Sequence, residues 1–247
     1  EMKRRDWSSD VCSSDLKHIL IKESFMQNLY KWKHFPKEII IQAVYWYLKY
    51  SLSYRDVQEL LSERGIDVCY TTIYRWVIEF SPLITTKIKK RIRRTNDTWR
   101  VDETYVKVNG QWTYLYRAID SDGNTLDFML SKRRNKKATI KFFRKILGNE
   151  SHQKPAVITT DKYSAYPISL KSIKTFKRTE HRQIKYLNNI IEQDHRFIKK
   201  KIKPMLGFKS FSSAKITIDG IEALHILLKK SAKLQVYLEL VYIGNFQ

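Results

Sequence analysis

The sequence predicts an α/β domain with a mixed sheet, preceded by a small all-α unit. Three features carry that expectation. Between Pro36 and Pro82 apolar residues recur at helical spacing in three bursts; from Trp99 the period turns strand-like, with two glycine turns; after the third strand, helical and strand patterns alternate.

In the all-α unit, the first burst is Ile39, Ile40, Ala43, Val44 and Tyr47, the second Val57, Leu60 and Leu61, and the third Ile73, Trp76, Val77 and Phe80. Ser53-Tyr54-Arg55-Asp56 has the form of a capping box opening the second helix, Gly65 is placed to end it, and Thr71 or Thr72 to cap the third. Three helices so ordered form a helix-turn-helix pattern, whose third helix offers Thr71, Thr72, Tyr74 and Arg75 near its start, where such a helix meets a major groove. The same pattern also suits a plain three-helix bundle. A basic connector follows, with Lys89, Lys90, Arg91, Arg93 and Arg94 placed as backbone contacts or simply as a solvated run.

Strands are expected over Trp99 to Val108, Trp112 to Ile119 and Thr125 to Leu130, joined by turns at Asn109-Gly110 and Asp122-Gly123-Asn124. A helix over Lys136 to Leu147, a buried strand at Ala156 to Thr160, a helix near Ser164, a long helix from about Asn188 and an amphipathic helix over Ser212 to Lys230 complete the reading. Three consecutive strands followed by alternating helix and strand is the order of an RNase H-like domain. The expected units are a leader (1–25), a helix-turn-helix domain (26–82), a basic linker (83–97), the RNase H-like domain (98–204) and a C-terminal helical extension (205–247). Within the leader, residues 6–16 resemble a sequencing adaptor read in frame, so Met26 is the expected native start.

The balance of 47 Lys+Arg against 25 Asp+Glu gives a net charge of +22, which favours a polyphosphate partner and salt-sensitive binding. No apolar run approaches the roughly 18 to 20 residues that span a bilayer, so no membrane partner is expected. Cys12 and Cys69 form neither a metal-ligand spacing nor a disulfide framework, which suits a reducing, cytoplasmic setting.

Within this frame three acids stand out. Asp102 lies mid-strand in Trp99-Arg100-Val101-Asp102-Glu103-Thr104-Tyr105, Asp161 ends a buried strand, and Glu192 lies on the long helix. Carboxylates so placed can converge at one sheet edge and hold Mg²⁺ or Mn²⁺, two ions in a phosphoryl-transfer site. Glu192, His195, Arg196 and Lys199 share one helix face, which places His195, Arg196 and Lys199 to touch phosphate near the metal site, with a role as charge partners equally open to His195 and Lys199; Asp194 lies off that face and is expected in solvent. Side-chain alternation sets Glu103 on the other face of the sheet from Asp102, and Asp120 belongs to a hairpin end.

The chain resembles the bacterial insertion-sequence DDE transposases of the IS-six family. The likeness runs from Lys31-Trp32-Lys33-His34-Phe35 through Leu52-Ser53-Tyr54-Arg55-Asp56, Thr72-Ile73-Tyr74-Arg75-Trp76-Val77, the strand around Asp102, and Tyr114-Leu115-Tyr116-Arg117-Ala118-Ile119-Asp120. It continues in Lys185 to Arg196, Gly207-Phe208-Lys209-Ser210-Phe211 and Gly220-Ile221-Glu222-Ala223, covering roughly four fifths of the chain. The resemblance implies Asp102, Asp161 and Glu192 as the catalytic triad, Lys199 as the basic residue two turns after the Glu, and an N-terminal domain that recognises terminal inverted repeats. It further implies cleavage of double-stranded DNA and strand transfer to a target by a homodimer or higher oligomer in the bacterial cytoplasm, at the nucleoid. The 31 residues from Asp161 to Glu192 are fewer than the family usually shows, and a surface loop around Ile168 to Thr179 is the expected place of the difference. The alternatives are an inactive helix-turn-helix remnant or repressor, and a nuclease that cuts without joining.

Overall fold

The computed structural model describes residues 33–89, 95–149, 152–184, 189–205 and 207–230. The leader, the connector residues Lys90, Arg91, Arg93 and Arg94, and the chain after Lys230 therefore lie outside the described residues.

Helices α1 (Lys37–Lys49), α2 (Tyr54–Ser62) and α3 (Tyr70–Lys89) form the N-terminal unit. The capping box is present in both directions: Asp56 N donates to Ser53 Oγ at 3.1 Å, and Ser53 N to Asp56 Oδ2 at 2.7 Å. Gly65, in the left-handed region at φ 71°, turns the chain out of α2. Helix α3 begins at Tyr70, whose N–H is met by Gln58 Oε1 at 3.0 Å, so Thr71 and Thr72 lie inside its first turn rather than before it. It also runs on through Pro82. An interior proline costs about 3 kcal/mol, but α3 is packed along the C-terminal helix with Phe80, Ser81, Ile84 and Thr85 buried, and that burial outweighs the break.

The sheet has five strands, β1 (Thr98–Val108), β2 (Gln111–Asp120), β3 (Thr125–Ser131), β4 (Val157–Thr159) and β5 (Glu180–Arg182), in the order β3-β2-β1-β4-β5. Strands β1, β2 and β3 form an antiparallel meander, and β4 and β5 add parallel strands beside β1. This is the mixed RNase H-like arrangement expected. The β1–β2 turn places Asn109 and Gly110 both at positive φ (50° and 75°), the conformation that matches the strands' twist and that Asn-Gly adopts readily. Helix α4 (Lys136–Leu147) follows β3, α5 (Ala165–Ser172) lies between β4 and β5, and α6 (Asn189–Ile202) and α7 (Phe211–Lys230) close the fold.

The segment from Ile168 to Thr179 is not a loop. It holds the end of α5 and a 3₁₀ turn over Lys174–Arg178, with Leu170, Ile173 and Phe176 buried against the sheet. Strand β5, just beyond it, was too short and too polar to carry a readable period.

Alternation along β1 separates two cores. Trp99 and Val101, with Tyr116 and Ala118 of β2, pack against Phe142 and Phe143 of α4 and Tyr166 of α5. On the other face Val106, Leu115 and Phe128 join Ile198 of α6, Ile221 and Leu224 of α7, and Ile40, Tyr47, Ile73 and Trp76 of the N-terminal helices. One apolar core therefore runs from the helix-turn-helix unit to the back of the sheet, and α7 completes it instead of extending away. Where α7 passes α3 and α1, a Cβ on Gly220 would stand 2.8 Å from Ser81 Oγ and 3.1 Å from Leu48 Cδ2, so any larger residue would force these neighbours to shift. Among the described residues no helix is long and apolar enough to cross a membrane.

Candidate active site

The site forms where β1 outruns its neighbour. Strand β4 pairs with β1 through Trp99↔Ile158 and Arg100↔Thr159 and then ends. Carrying that register forward two residues sets Asp161 level with Asp102, and Asp161 Oδ1 is fixed there by accepting from Tyr163 N at 3.0 Å. Asp102 points toward α6. Glu103 points to the opposite face, as alternation requires, where one carboxylate oxygen accepts from the Tyr166 hydroxyl of α5 and the other from Arg134. Yet Asp102, Glu103 and Asp161 each offer an oxygen within 4.8 Å of the others. Alternation assigned the face of Glu103 correctly but did not separate it from the site, because β4 has ended and leaves that side of β1 unpaired at this level, while β2 still pairs on the other, and a glutamate is long enough to reach the open edge.

Burial, then the charges of Glu103, Asp161 and Glu192, raise the Asp102 carboxyl to about 7. Burial likewise raises Glu103. Opposing them is Arg134, bonded to Glu103 and 3.5 Å from Asp161 Oδ2. Three carboxylates sharing so small a space repel one another, and their hard oxygens are the donor set a divalent cation takes. The residues present fit such an ion.

Glu192 lies in the first turn of α6, exposed. Its charge reaches Asp102, but its oxygens are not among those gathered within 4.8 Å. Arg196 and Lys199 are also exposed. His195 is not: it is 1 % exposed, with Nδ1 3.8 Å from Asp102 Oδ2. Burial first, then Arg117 and Lys199, lower it to about 3, so it is neutral near pH 7. His195 therefore backs Asp102 from inside, away from the exposed face that carries Arg196 and Lys199.

Asp194, expected in solvent, is instead 9 % exposed, ion-paired with Arg117 (2.7 Å) and Lys229 (2.5 Å), and 3.5 Å from Nε2 of His225, whose ring is kept toward the neutral form by burial. The face opposite Glu192 does not meet water, because α7 covers it. Arg117, wholly buried on β2, also pairs with the wholly buried Glu222 of α7: Nη2 donates to Oε2 at 3.0 Å, and Nε stands 2.6 Å from Oε1 without making a hydrogen bond of good geometry. Asp120 belongs to its turn, its carboxylate accepting from Asp122 N and Asn124 N.

Toward the N-terminal unit, α6 is anchored by Lys201, whose ammonium donates to the carbonyls of Tyr50 and Leu52 and lies 4.4 Å over the Tyr47 ring. On α3, Thr71, Tyr74 and Arg75 are exposed and Thr72 is half-buried, one solvent face at the helix start. Lys89 closes α3. Sequence reasoning set Glu103 aside and did not single out Arg134, Tyr166 or Arg117. An acid directly beside Asp102 was the available signal for the first, whereas nothing in the local pattern marked the others.

The DDE domain model of the IS240 transposase family matches residues 96–231. The chain is 42 % identical over 214 residues, 85 % of its length and 93 % of theirs, to the Staphylococcus aureus transposase for insertion sequence-like element IS431mec and to that for element IS257 in transposon Tn4003. Among solved structures it is similar to the HTLV-2 integrase catalytic core domain in complex with magnesium, at 19 % identity and TM-score 0.44 over 58 % of this chain and 97 % of that one. It is also similar to a chain of the simian T-cell lymphotropic virus intasome with PP2A regulatory subunit B56 gamma, at 16 % identity and TM-score 0.43, over 61 % of this chain and 57 % of that one.

Proposed function

Because this chain belongs to the DDE transposase family of insertion sequences, we propose that its open edge of β1 is the strand-transfer site, with Asp102, Asp161 and Glu192 as the catalytic acids. The observation that carries this reading is the meeting of Asp102 and Asp161 oxygens at the end of β4. These acids hold Mg²⁺ or Mn²⁺, two ions in all. When bound, the metal supplies Lewis-acid activation of a water or 3′-hydroxyl nucleophile and stabilises the leaving oxygen.

The remaining work falls to the chain itself. Asp102 and Asp161 present oxygens to one point from adjacent strands, and Glu192, on an exposed first turn of α6, closes the set from the side. Buried His195 excludes water behind Asp102. Lys199 and Arg196 face outward on the same helix and meet the DNA backbone. Helix α3 reads the terminal inverted repeats through Thr71, Thr72, Tyr74 and Arg75, and Lys89, Lys90, Arg91, Arg93 and Arg94 hold flanking phosphates. The charge of +22 supports a double-stranded DNA partner. The protein acts as a homodimer or larger assembly on repeat ends and target DNA, in the cytoplasm at the nucleoid.

The test is an end-joining assay with a repeat-end duplex, run beside a gel-shift assay. Asp102→Ala, Asp161→Ala and Glu192→Ala should each abolish joining while the shift persists. Joining retained by any one variant removes that residue from the triad, and wild-type protein that shifts repeat DNA without metal-dependent nicking makes the chain a binding remnant.

A further inference from the structure

A site built of carboxylates must still admit a phosphodiester. Acids that attract a cation repel the DNA backbone, so a fixed positive group beside them is needed to offset that repulsion. Among the described residues Arg134 is the one permanent cation within ion-pair distance of the acid cluster.

Arg134 is held from several directions. Nε and Nη2 both reach Glu103 Oε1, whose partner oxygen is occupied by the Tyr166 hydroxyl. Nη2 stands 3.5 Å from Asp161 Oδ2. The guanidinium lies 3.9 Å over the Tyr163 ring, and the Tyr163 hydroxyl donates back to the Arg134 carbonyl at 3.0 Å. The next residue, Asn135, caps α4 through Ala138 N at 2.9 Å, which fixes the backbone. A guanidinium that only neutralised Glu103 could be fully enclosed. This one keeps 28 % of its side chain exposed, beside Asp161, and a planar fork of donors matches phosphate oxygens.

We propose that Arg134 is a phosphate-binding residue of the active site, with Glu103 and Tyr163 as the positioning residues that aim it at the phosphodiester undergoing transfer. The proposal rests on the strand-transfer reading of the acid cluster and adds to it a substrate contact that the acids themselves cannot make.

The experiment measures binding, not turnover. Two repeat-end duplexes, identical except that one carries the scissile phosphate and the other ends without it, are titrated by fluorescence anisotropy in EDTA at several salt concentrations. Wild-type protein should prefer the phosphate-bearing duplex roughly tenfold, the scale of one charge-assisted hydrogen bond. Arg134→Gln should erase that preference and reduce the slope of log K against log salt by about 0.9 for that duplex alone. Arg134→Lys should restore part of the preference, and Glu103→Gln, which frees the arginine without removing it, should weaken it. The proposal is overturned if Arg134→Gln keeps the preference, if it weakens both duplexes equally, or if wild-type protein shows no preference. A wild-type preference that Arg134→Gln abolishes, together with joining that survives Asp161→Ala, would sink the triad while leaving Arg134 in place.

Discussion

Asp102 and Arg117 are partners across the β1–β2 ladder and share a sheet face, yet they belong to ion clusters of opposite design. Around Asp102, three carboxylates crowd a partly open edge with Arg134 as their one cation at ion-pair distance among the described residues. Around Arg117, two carboxylates are matched by Arg117 and Lys229, and the central groups are fully enclosed. The first cluster is short of positive charge where solvent and ligand can enter; the second is balanced where they cannot. Counting acids does not separate the two. Asking which acids are neutralised by the protein itself does, because three acids crowded together with one cation leave negative charge that a bound cation would offset.

The largest effect expected from this contrast is at Arg117. Arg117→Met leaves Asp194 and Glu222 buried with their main counter-charge gone, and removing one partner of a buried pair costs about 3–5 kcal/mol. A denaturant titration should show that loss, and a midpoint unchanged from wild type would mean that the cluster is not balanced as described.

Asp102→Asn tests the other side and should act in the opposite direction. Its carboxyl is raised from 3.8 to about 7 in the fold, so the folded state holds a proton that the unfolded chain has released, and stability falls as pH rises through that interval. The variant is relieved of that penalty. Without metal it should be more stable than wild type at pH 8, with a ceiling of about 4 kcal/mol at ~1.4 kcal/mol per pH unit, and the gain should vanish near pH 4. Asp194 has the reverse sign. Although burial opposes ionisation, His225, Arg117 and Lys229 hold it below the ordinary carboxylate range, so its contribution is complete above pH 3.8 and is lost only as pH falls further. Melting curves from pH 3.5 to 8 should therefore show the Asp102→Asn gain growing as pH rises, while the Asp194→Asn loss stays nearly constant across that window and narrows only as pH falls below 3.8.

How much of this was legible in the sequence follows the range of the signal. Local period and turn chemistry gave the meander, the Asn109-Gly110 hairpin, α4 and α7, because each is set by neighbours within a few residues. Asp102 and Asp161 were readable because a mid-strand acid and a strand-end acid are conspicuous in apolar surroundings. The role of Asp194 was not, since whether the far face of α6 meets water depends on α7, some thirty residues further on. Pro82 shows the same dependence: a local helix breaker is overruled by burial of its neighbours against the same distant helix. Glu103 was set aside by a two-residue period that holds for direction and says nothing of reach.

A third point on α7 sharpens the contrast through packing. Gly220→Ala would drive a methyl group into Ser81 and Leu48 two residues before Glu222, and overpacking of this kind costs about 1–3 kcal/mol. If α7 is what encloses the Arg117 cluster, Ser81→Gly should recover much of the loss by making room. Failure of that rescue would place the damage elsewhere on α7.

The smallest effect should come from Lys229. It is the exposed edge of the balanced cluster, its side chain 32 % accessible, bonded to Asp194 and to the Gly123 carbonyl. Partly exposed pairs contribute about 0–1 kcal/mol, because water and salt compete with them. Lys229→Ala should cost no more than that, and the cost should shrink further in 1 M salt, where the Debye length falls to about 3 Å. Arg117→Met should lose its several kcal/mol at either ionic strength, since no counter-ion reaches a fully enclosed carboxylate. A strong salt dependence of the Arg117→Met penalty would mean that water enters between β2 and α7, and the distinction between an enclosed cluster and an open one would fail at its buried end.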